Sequence, residues 1–285
     1  MIHYRLIKAK DVTLFFREAG TEHEKTILLL HGFPTSSHMF RNLIPHLSKT
    51  HHVIAPDFPC YGFSESPDRK NFNYTFENIT KEIIALTEKL NLKKFAIYIF
   101  DYGAPIGLRL ALAYPEKITA IISQSGNAYV EGLGDFWLPF KTYWRDNTEK
   151  NRQALLKLLT FEATKWQYTF GMPDETLIAP ETYTLDAMLM ERPGNNEIQL
   201  DLFHDYGTNV TLYPKFQEYF HTHQPPLLAI WGKNDPIFFY EGANAYKRDL
   251  PNAEIHFYDT GHFALETHGE EMGIKICKFL AEHNV

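Results

Sequence analysis

What most constrains this chain is a series of short, unbroken apolar runs, each cut off by a turn. Lys25-Thr26-Ile27-Leu28-Leu29-Leu30 stops at His31-Gly32-Phe33-Pro34, and His52-Val53-Ile54-Ala55-Pro56-Asp57 leads into a turn through Gly62. Phe95-Ala96-Ile97-Tyr98-Ile99-Phe100 stops at Asp101, and Ile118 to Ser123 makes a fourth run. Apolar runs of this length, bounded by Gly and Pro and rich in Ile and Val, read as strands buried on both faces. Between them, Phe76 to Leu90 sets Ile79, Ile83, Ile84 and Leu86 at helical spacing, and Gly107 to Tyr114 opens another helix. Strands alternating with helices predict an α/β architecture: a mostly parallel sheet with right-handed crossovers and ligands at the strands' C-terminal ends.

The rhythm lapses from about Asn127 to about Phe220, where short helical pieces, many aromatics and several Pro and Gly breaks replace the strands. It resumes at Pro226-Leu227-Leu228-Ala229-Ile230-Trp231 and at Glu254-Ile255-His256-Phe257-Tyr258. The expected organisation is one core in two parts, residues 1–126 and 221–285, with residues 127–220 inserted as a helical cap. A separate binding domain is the alternative, but linker-like composition is absent from the flanks. The 285 residues lie near the upper size for one hydrophobic core, which also favours a single domain with an insertion.

Hydrophobic residues make up 44% and charged residues 22%, with a formal net charge of −7 and no basic run. Nucleic acid and anionic membrane surfaces are therefore poor partners. Met1-Ile2-His3-Tyr4-Arg5-Leu6 lacks the pattern of a signal peptide, and the apolar runs are far too short to span a bilayer. With two cysteines and no His/Cys metal spacing, neither a disulfide scaffold nor a metal site is expected. The expected setting is cytoplasmic and reducing, with no cofactor; the oligomeric state is left open.

The chemistry concentrates at Ile99-Phe100-Asp101-Tyr102-Gly103-Ala104-Pro105-Ile106-Gly107, a strand running through a sharp turn into a helix. Such a turn pushes one side chain out above the sheet, and small residues let the backbone approach the next helix. A carboxylate there faces helix N–H groups that favour its ionised form. Asp101 is thus either a nucleophile or an ordinary N-cap. Its partners argue for the first. Asp235 in Gly232-Lys233-Asn234-Asp235-Pro236 and His262 in Thr260-Gly261-His262-Phe263 each follow a strand, giving the order nucleophile, acid, histidine. The backbone N–H groups of Phe33 and Tyr102 can converge as an oxyanion hole. Glu131, after the fourth strand, is a weaker candidate for the acid, and Cys60 reads as packing.

An aspartate in this place changes the chemistry. A carboxylate is a weak nucleophile towards an ester carbonyl, yet it displaces leaving groups from sp³ carbon to form an alkyl ester. His262, oriented by Asp235, would then activate the water that hydrolyses that ester.

On His31-Gly32-Phe33-Pro34, Ala55-Pro56-Asp57, Gly62-Phe63-Ser64, Asp101-Tyr102-Gly103, Gly232-Lys233-Asn234-Asp235 and Gly261-His262, the chain resembles the α/β-hydrolase fold, in its haloalkane dehalogenase and epoxide hydrolase group. The resemblance spans almost the whole core and covers the cap only loosely. It implies the α/β-hydrolase fold and a catalytic triad of Asp101, Asp235 and His262. Ile99, where the serine elbow has glycine, looks more like the dehalogenase elbow than the serine one. The chain departs from the group at Phe33 and Tyr102, which lack the halide-binding side chains of typical dehalogenases. The arginine that fluoroacetate-type dehalogenases place after the nucleophile is missing too. Epoxide hydrolases protonate the ring oxygen with cap tyrosines, and the resemblance makes Tyr206 a candidate, with Tyr129, Tyr143 and Tyr168 as candidates for a second. The chain has 16 tyrosines, and most of them serve packing. The expected activity is hydrolysis at sp³ carbon of a small hydrophobic substrate, halide or epoxide. Ester hydrolysis on the same scaffold, or a ligand-binding module with little turnover, is the alternative.

Overall fold

Eight strands pair into one sheet in the order β1-β2-β4-β3-β5-β6-β7-β8, in a computed structural model describing residues 1–285. They are β1 His3–Lys8, β2 Thr13–Ala19, β3 Thr26–Leu30, β4 His52–Pro56, β5 Phe95–Phe100, β6 Ile118–Gln124, β7 Leu227–Gly232 and β8 Glu254–Tyr258. From β4 through β3 to β8 every pairing is parallel, and β3, β5 and β7 are buried along their whole length. Neighbouring residues on a strand belong to different cores: Leu28, Leu30, Ile97 and Ile99 to one face, Ile27, Leu29, Ala96 and Tyr98 to the other. That is the period of two expected of strands covered on both sides.

Parallel neighbours need crossovers, and helices supply them. The first are α1 Ile44–Leu47, α2 Phe76–Lys89 and α3 Gly103–Ala113. Thr75 caps α2 by accepting from the Asn78 N–H, and Ile79, Ile83 and Leu86 turn one stripe of it into the core. After β3 the chain moves outward to β4, then returns across β3 to form β5 on its other side. The loops leaving β3 and β5 therefore diverge, which opens a crevice above this switch in strand order.

Between β6 and β7 the chain builds α4 Leu138–Arg145, α5 Glu149–Gln153, α6 Phe161–Thr169, α7 Pro180–Met190 and α8 Asn195–His223. After β7 come α9 Tyr240–Ala245 and α10 Leu265–Glu282. Only short helical pieces were expected here, yet α8 runs 29 residues with Pro214 inside it. Proline removes one helical hydrogen bond. The helix continues because Tyr206, Tyr213, Phe216 and Phe220 are buried on either side of the break. The β1–β2 hairpin was not expected either. β1 is almost wholly exposed and pairs on one edge only, so it carries no buried-strand pattern. No helix is long and apolar enough to cross a membrane.

Candidate active site

The loops after β3 and β5 touch because two glycines let them. A Cβ on Gly103 would lie 2.2 Å from the Leu30 carbonyl oxygen, and one on Gly32 would lie 2.3 Å from Asp101 Cβ. Asp101 itself sits at φ +48°, a left-handed conformation that costs a non-glycine residue about 1 kcal/mol or more. The strain raises its carboxylate above the sheet, where Oδ1 accepts from the Phe33 N–H at 2.7 Å and the Tyr102 N–H at 2.6 Å. The first residue of α3 is preceded by Tyr102, which provides no side-chain cap. Asp101 is thus turned towards the crevice and does not cap the helix through its side chain.

Oδ2 of Asp101 faces Nε2 of His262 across 3.9 Å, too far for a hydrogen bond. His262 Nδ1–H donates to Asp235 Oδ2 at 2.9 Å, which leaves Nε2 as the lone-pair nitrogen of the neutral ring. Nε2 is buried and has no partner at all. Asp235 accepts three further bonds: Ser125 Oγ–H to Oδ2 at 2.7 Å, and the N–H groups of Ile237 (2.8 Å) and Phe238 (3.1 Å) to Oδ1. Asp235 follows β7, His262 follows β8 and Ser125 follows β6, so the ends of three adjacent strands bring these side chains together. Ser125 escaped the sequence analysis because nothing in Ser-Gly-Asn distinguishes it from a common turn.

Burial pushes the Asp101 carboxyl up to about 6, against the pull of His262 and the two backbone N–H groups. For His262, burial works to lower the pKa, but Asp235 and then Asp101 outweigh it and the net shift is upward. A carboxylate is nucleophilic only when ionised, so any attack by Asp101 would weaken as pH falls through about 6. The rate of the first chemical step, measured by rapid quench, should rise with a midpoint near that pH. A midpoint at the ordinary carboxylate value of about 3.9 would contradict this picture of the site.

Above Asp101 lies a cavity of about 30 Å³ lined by 12 residues, ten of them apolar. The two polar ones are Asp101 and Gln167. Gln167, on α6, is buried and makes no hydrogen bond within the protein, so its amide is free to face a ligand. No local pattern points to it, because which face of α6 looks inward depends on the packing of the whole segment between β6 and β7. Trp137, Phe140 and Phe203 close the apolar wall, with the Trp137 indole N–H donating to the Ile237 carbonyl at 2.8 Å.

The other expected tyrosines lie elsewhere. Tyr129 donates its hydroxyl to Asp249 at 2.9 Å, Tyr168 donates to Asp186 at 2.5 Å, and Tyr143 accepts from Arg152 at 3.0 Å. None of the three lines the cavity, and neither does Tyr206. Tyr206 packs its ring 5.7 Å from that of Tyr102, behind the cavity wall, and Tyr213 accepts from Asn127 Nδ2 at 3.1 Å. Glu131 pairs with Arg248 at the surface, leaving the histidine to Asp235. Cys60 is buried beside Gln199, and burial pushes its thiol up, away from reactivity.

Residues 25–269 match the family model described as the alpha/beta hydrolase fold. The chain belongs to the α/β-hydrolase family. It is a hydrolase, 46% identical over 285 residues to "Uncharacterized hydrolase YNR064C" of Saccharomyces cerevisiae, covering 98% of each chain. It is 27% identical over 273 residues to a cis-3-alkyl-4-alkyloxetan-2-one decarboxylase of Shewanella oneidensis, covering 90% of this hydrolase and 82% of that protein. A haloalkane dehalogenase of Mesorhizobium japonicum is 34% identical over 136 residues, or 48% of this hydrolase and 39% of the dehalogenase. Among solved structures, an epoxide hydrolase, CorEH, superimposes with a TM-score of 0.79 at 18% identity over 99% of both chains.

Proposed function

We propose that this hydrolase displaces a leaving group from sp³ carbon through a covalent alkyl ester on Asp101. The observation that carries this reading is the division of labour within one carboxylate. Oδ1 already occupies both converging N–H groups, so those donors are not open to the carbonyl of an ester substrate. Oδ2 is left facing the cavity and His262. Oδ2 attacks carbon, and the electron pair of the breaking bond leaves with halide or with the ring oxygen of an epoxide. Nε2, 3.9 Å from Oδ2, is placed to take a proton from a water approaching the ester. His262 takes that proton, and the resulting hydroxide adds to Cγ of Asp101. The Phe33 and Tyr102 N–H groups hold the charge that develops on Oδ1. Collapse expels the alkoxide, which takes the proton back from His262 and leaves as the alcohol, and the new carboxyl loses its proton to restore the carboxylate. An unpartnered buried nitrogen costs about 1–3 kcal/mol, which a module that merely binds ligands has no reason to retain.

The substrate is small and uncharged: no cation lines the cavity to meet a carboxylate, and the walls are aromatic. Two classes of leaving group have specific support. The free amide of Gln167 can hydrogen-bond a halide but cannot surrender a proton to an alkoxide. A tyrosine hydroxyl can, and Tyr206, buried against Tyr102 beside Asp101, is the candidate for that donor. Dialkyl oxetanones join the substrate panel on the strength of the Shewanella relative.

A single turnover in heavy-oxygen water, with enzyme in excess, tests the ester. The product's new oxygen should be unlabelled, with the label found in the peptide bearing Asp101. Label in the first-turnover product would mean direct attack by water and would overturn the proposal.

A further inference from the structure

The cavity above Asp101 is too small for the chemistry it should serve. Its roughly 30 Å³ falls far short of the ~300–1,000 Å³ of ordinary small-molecule pockets. Immediately outside lies a second, open hollow of about 620 Å³ at the surface, bordered by Phe170, Lys233, Asn234, Phe239, Tyr240 and Glu241. The two spaces share two lining residues, Phe136 and Trp166. These rings lie stacked, 6.0 Å between centroids and 11° from parallel.

Their anchoring differs from that of the other walls. Trp137, Phe140 and Phe203 are buried, whereas Phe136 and Trp166 are half-buried. Of the four tryptophans, Trp137, Trp144 and Trp231 each donate the indole N–H to a backbone carbonyl, and Trp166 does not. Phe136 sits in a single 3-10 turn, Asp135–Trp137. On the outer side Phe170 packs on Trp166 at 5.1 Å, and both Phe170 and Phe239 expose their rings at the mouth. Apolar surface therefore runs from solvent to the stacked pair and on to Trp137 and Phe140.

We propose that Phe136 and Trp166 form the gate through which uncharged substrates reach Asp101, and that these two side chains set the size of what is admitted. Rotation of either ring joins the hollow to the cavity without unfolding a helix or breaking a protein hydrogen bond. The rim bears Asp135, Glu241 and Lys233, a net negative mouth that disfavours anionic substrates. The inference rests on Asp101 being the reacting group in the inner cavity.

The test uses full-length enzyme in a Cys277→Ala background, with a cysteine introduced by Glu241→Cys at the exposed rim and then capped by a bulky maleimide. Formation of the Asp101 adduct is followed in His262→Gln at limiting substrate. Capping should slow adduct formation by about tenfold or more while leaving the final yield unchanged. Trp166→Ala should raise kcat/KM for a branched or aromatic substrate relative to a two-carbon one by about tenfold or more, in the range that one or two methylenes command in an apolar pocket. Trp166→Phe, which keeps a ring, guards against a folding artefact and should shift the same ratio in the same direction by less. Equal rates with and without the cap, or an unchanged substrate ratio in both variants, would overturn the gate. Absence of any adduct in the uncapped protein would instead count against the ester on Asp101.

Discussion

Asp101→Asn should lower turnover by at least about 10⁴-fold, or roughly 5.5 kcal/mol in the barrier, while the protein folds as well as before. The amide oxygen can take the place of Oδ1 between the Phe33 and Tyr102 N–H groups. The cavity would then be met by an NH₂ group with no lone pair to give. Folding should survive because asparagine tolerates the left-handed backbone at φ +48°, and because a neutral group no longer has to be desolvated at a fully buried site. Steady-state rates and a thermal melt, run side by side, separate the two effects. Turnover within about tenfold of wild type, with no amide-to-acid conversion detected by mass, would remove Asp101 from the mechanism.

His262→Gln should split the reaction in two. Glutamine keeps a donor for Asp235 but cannot act as a base, so hydrolysis of the ester should slow by about 10²–10⁴-fold. Attack by Asp101 needs no base and should proceed within about tenfold of the normal rate. The alkyl ester then accumulates and is visible in the intact-protein mass. An adduct of full substrate mass means ring opening of the epoxide or oxetanone supplied, and one lighter by the hydrogen halide means dehalogenation. Normal turnover in this variant would sink the role given to His262. No adduct with any halide, epoxide or oxetanone would move the reaction to a different class.

How much of this was visible in the sequence depends on how local the signal is. β3, β5 and β7 were legible because a strand buried on both faces must be apolar at every position. Asp101, Asp235 and His262 were legible because each stands at a strand end, and strand ends in a parallel sheet converge. The β1–β2 hairpin was not, since an exposed edge strand carries no such run. Nor was α8 as one helix: Pro214 marks a break in sequence, and only tertiary packing shows that the helix passes through it. Gln167 and Trp166 were hidden for the same reason. Their relevance lies in which way α6 faces, and its apolar and polar residues do not separate into distinct stripes.

The origin of the cavity's walls has a consequence for how such an enzyme can change. Phe33, Asp101, Tyr102 and Ile237 come from loops at the sheet's edge, and the other eight of the 12 lining residues come from the segment between β6 and β7. Under the proposed mechanism Asp101, its two N–H donors and His262 are thus inherited on different stretches of chain from most of the cavity wall. Substitutions at Phe140 or Phe203 leave those stretches unaltered. Lineages sharing this sheet can therefore diverge in diet while keeping one chemistry, and a library confined to residues 133–203 should yield altered substrate ranges more often than dead enzymes.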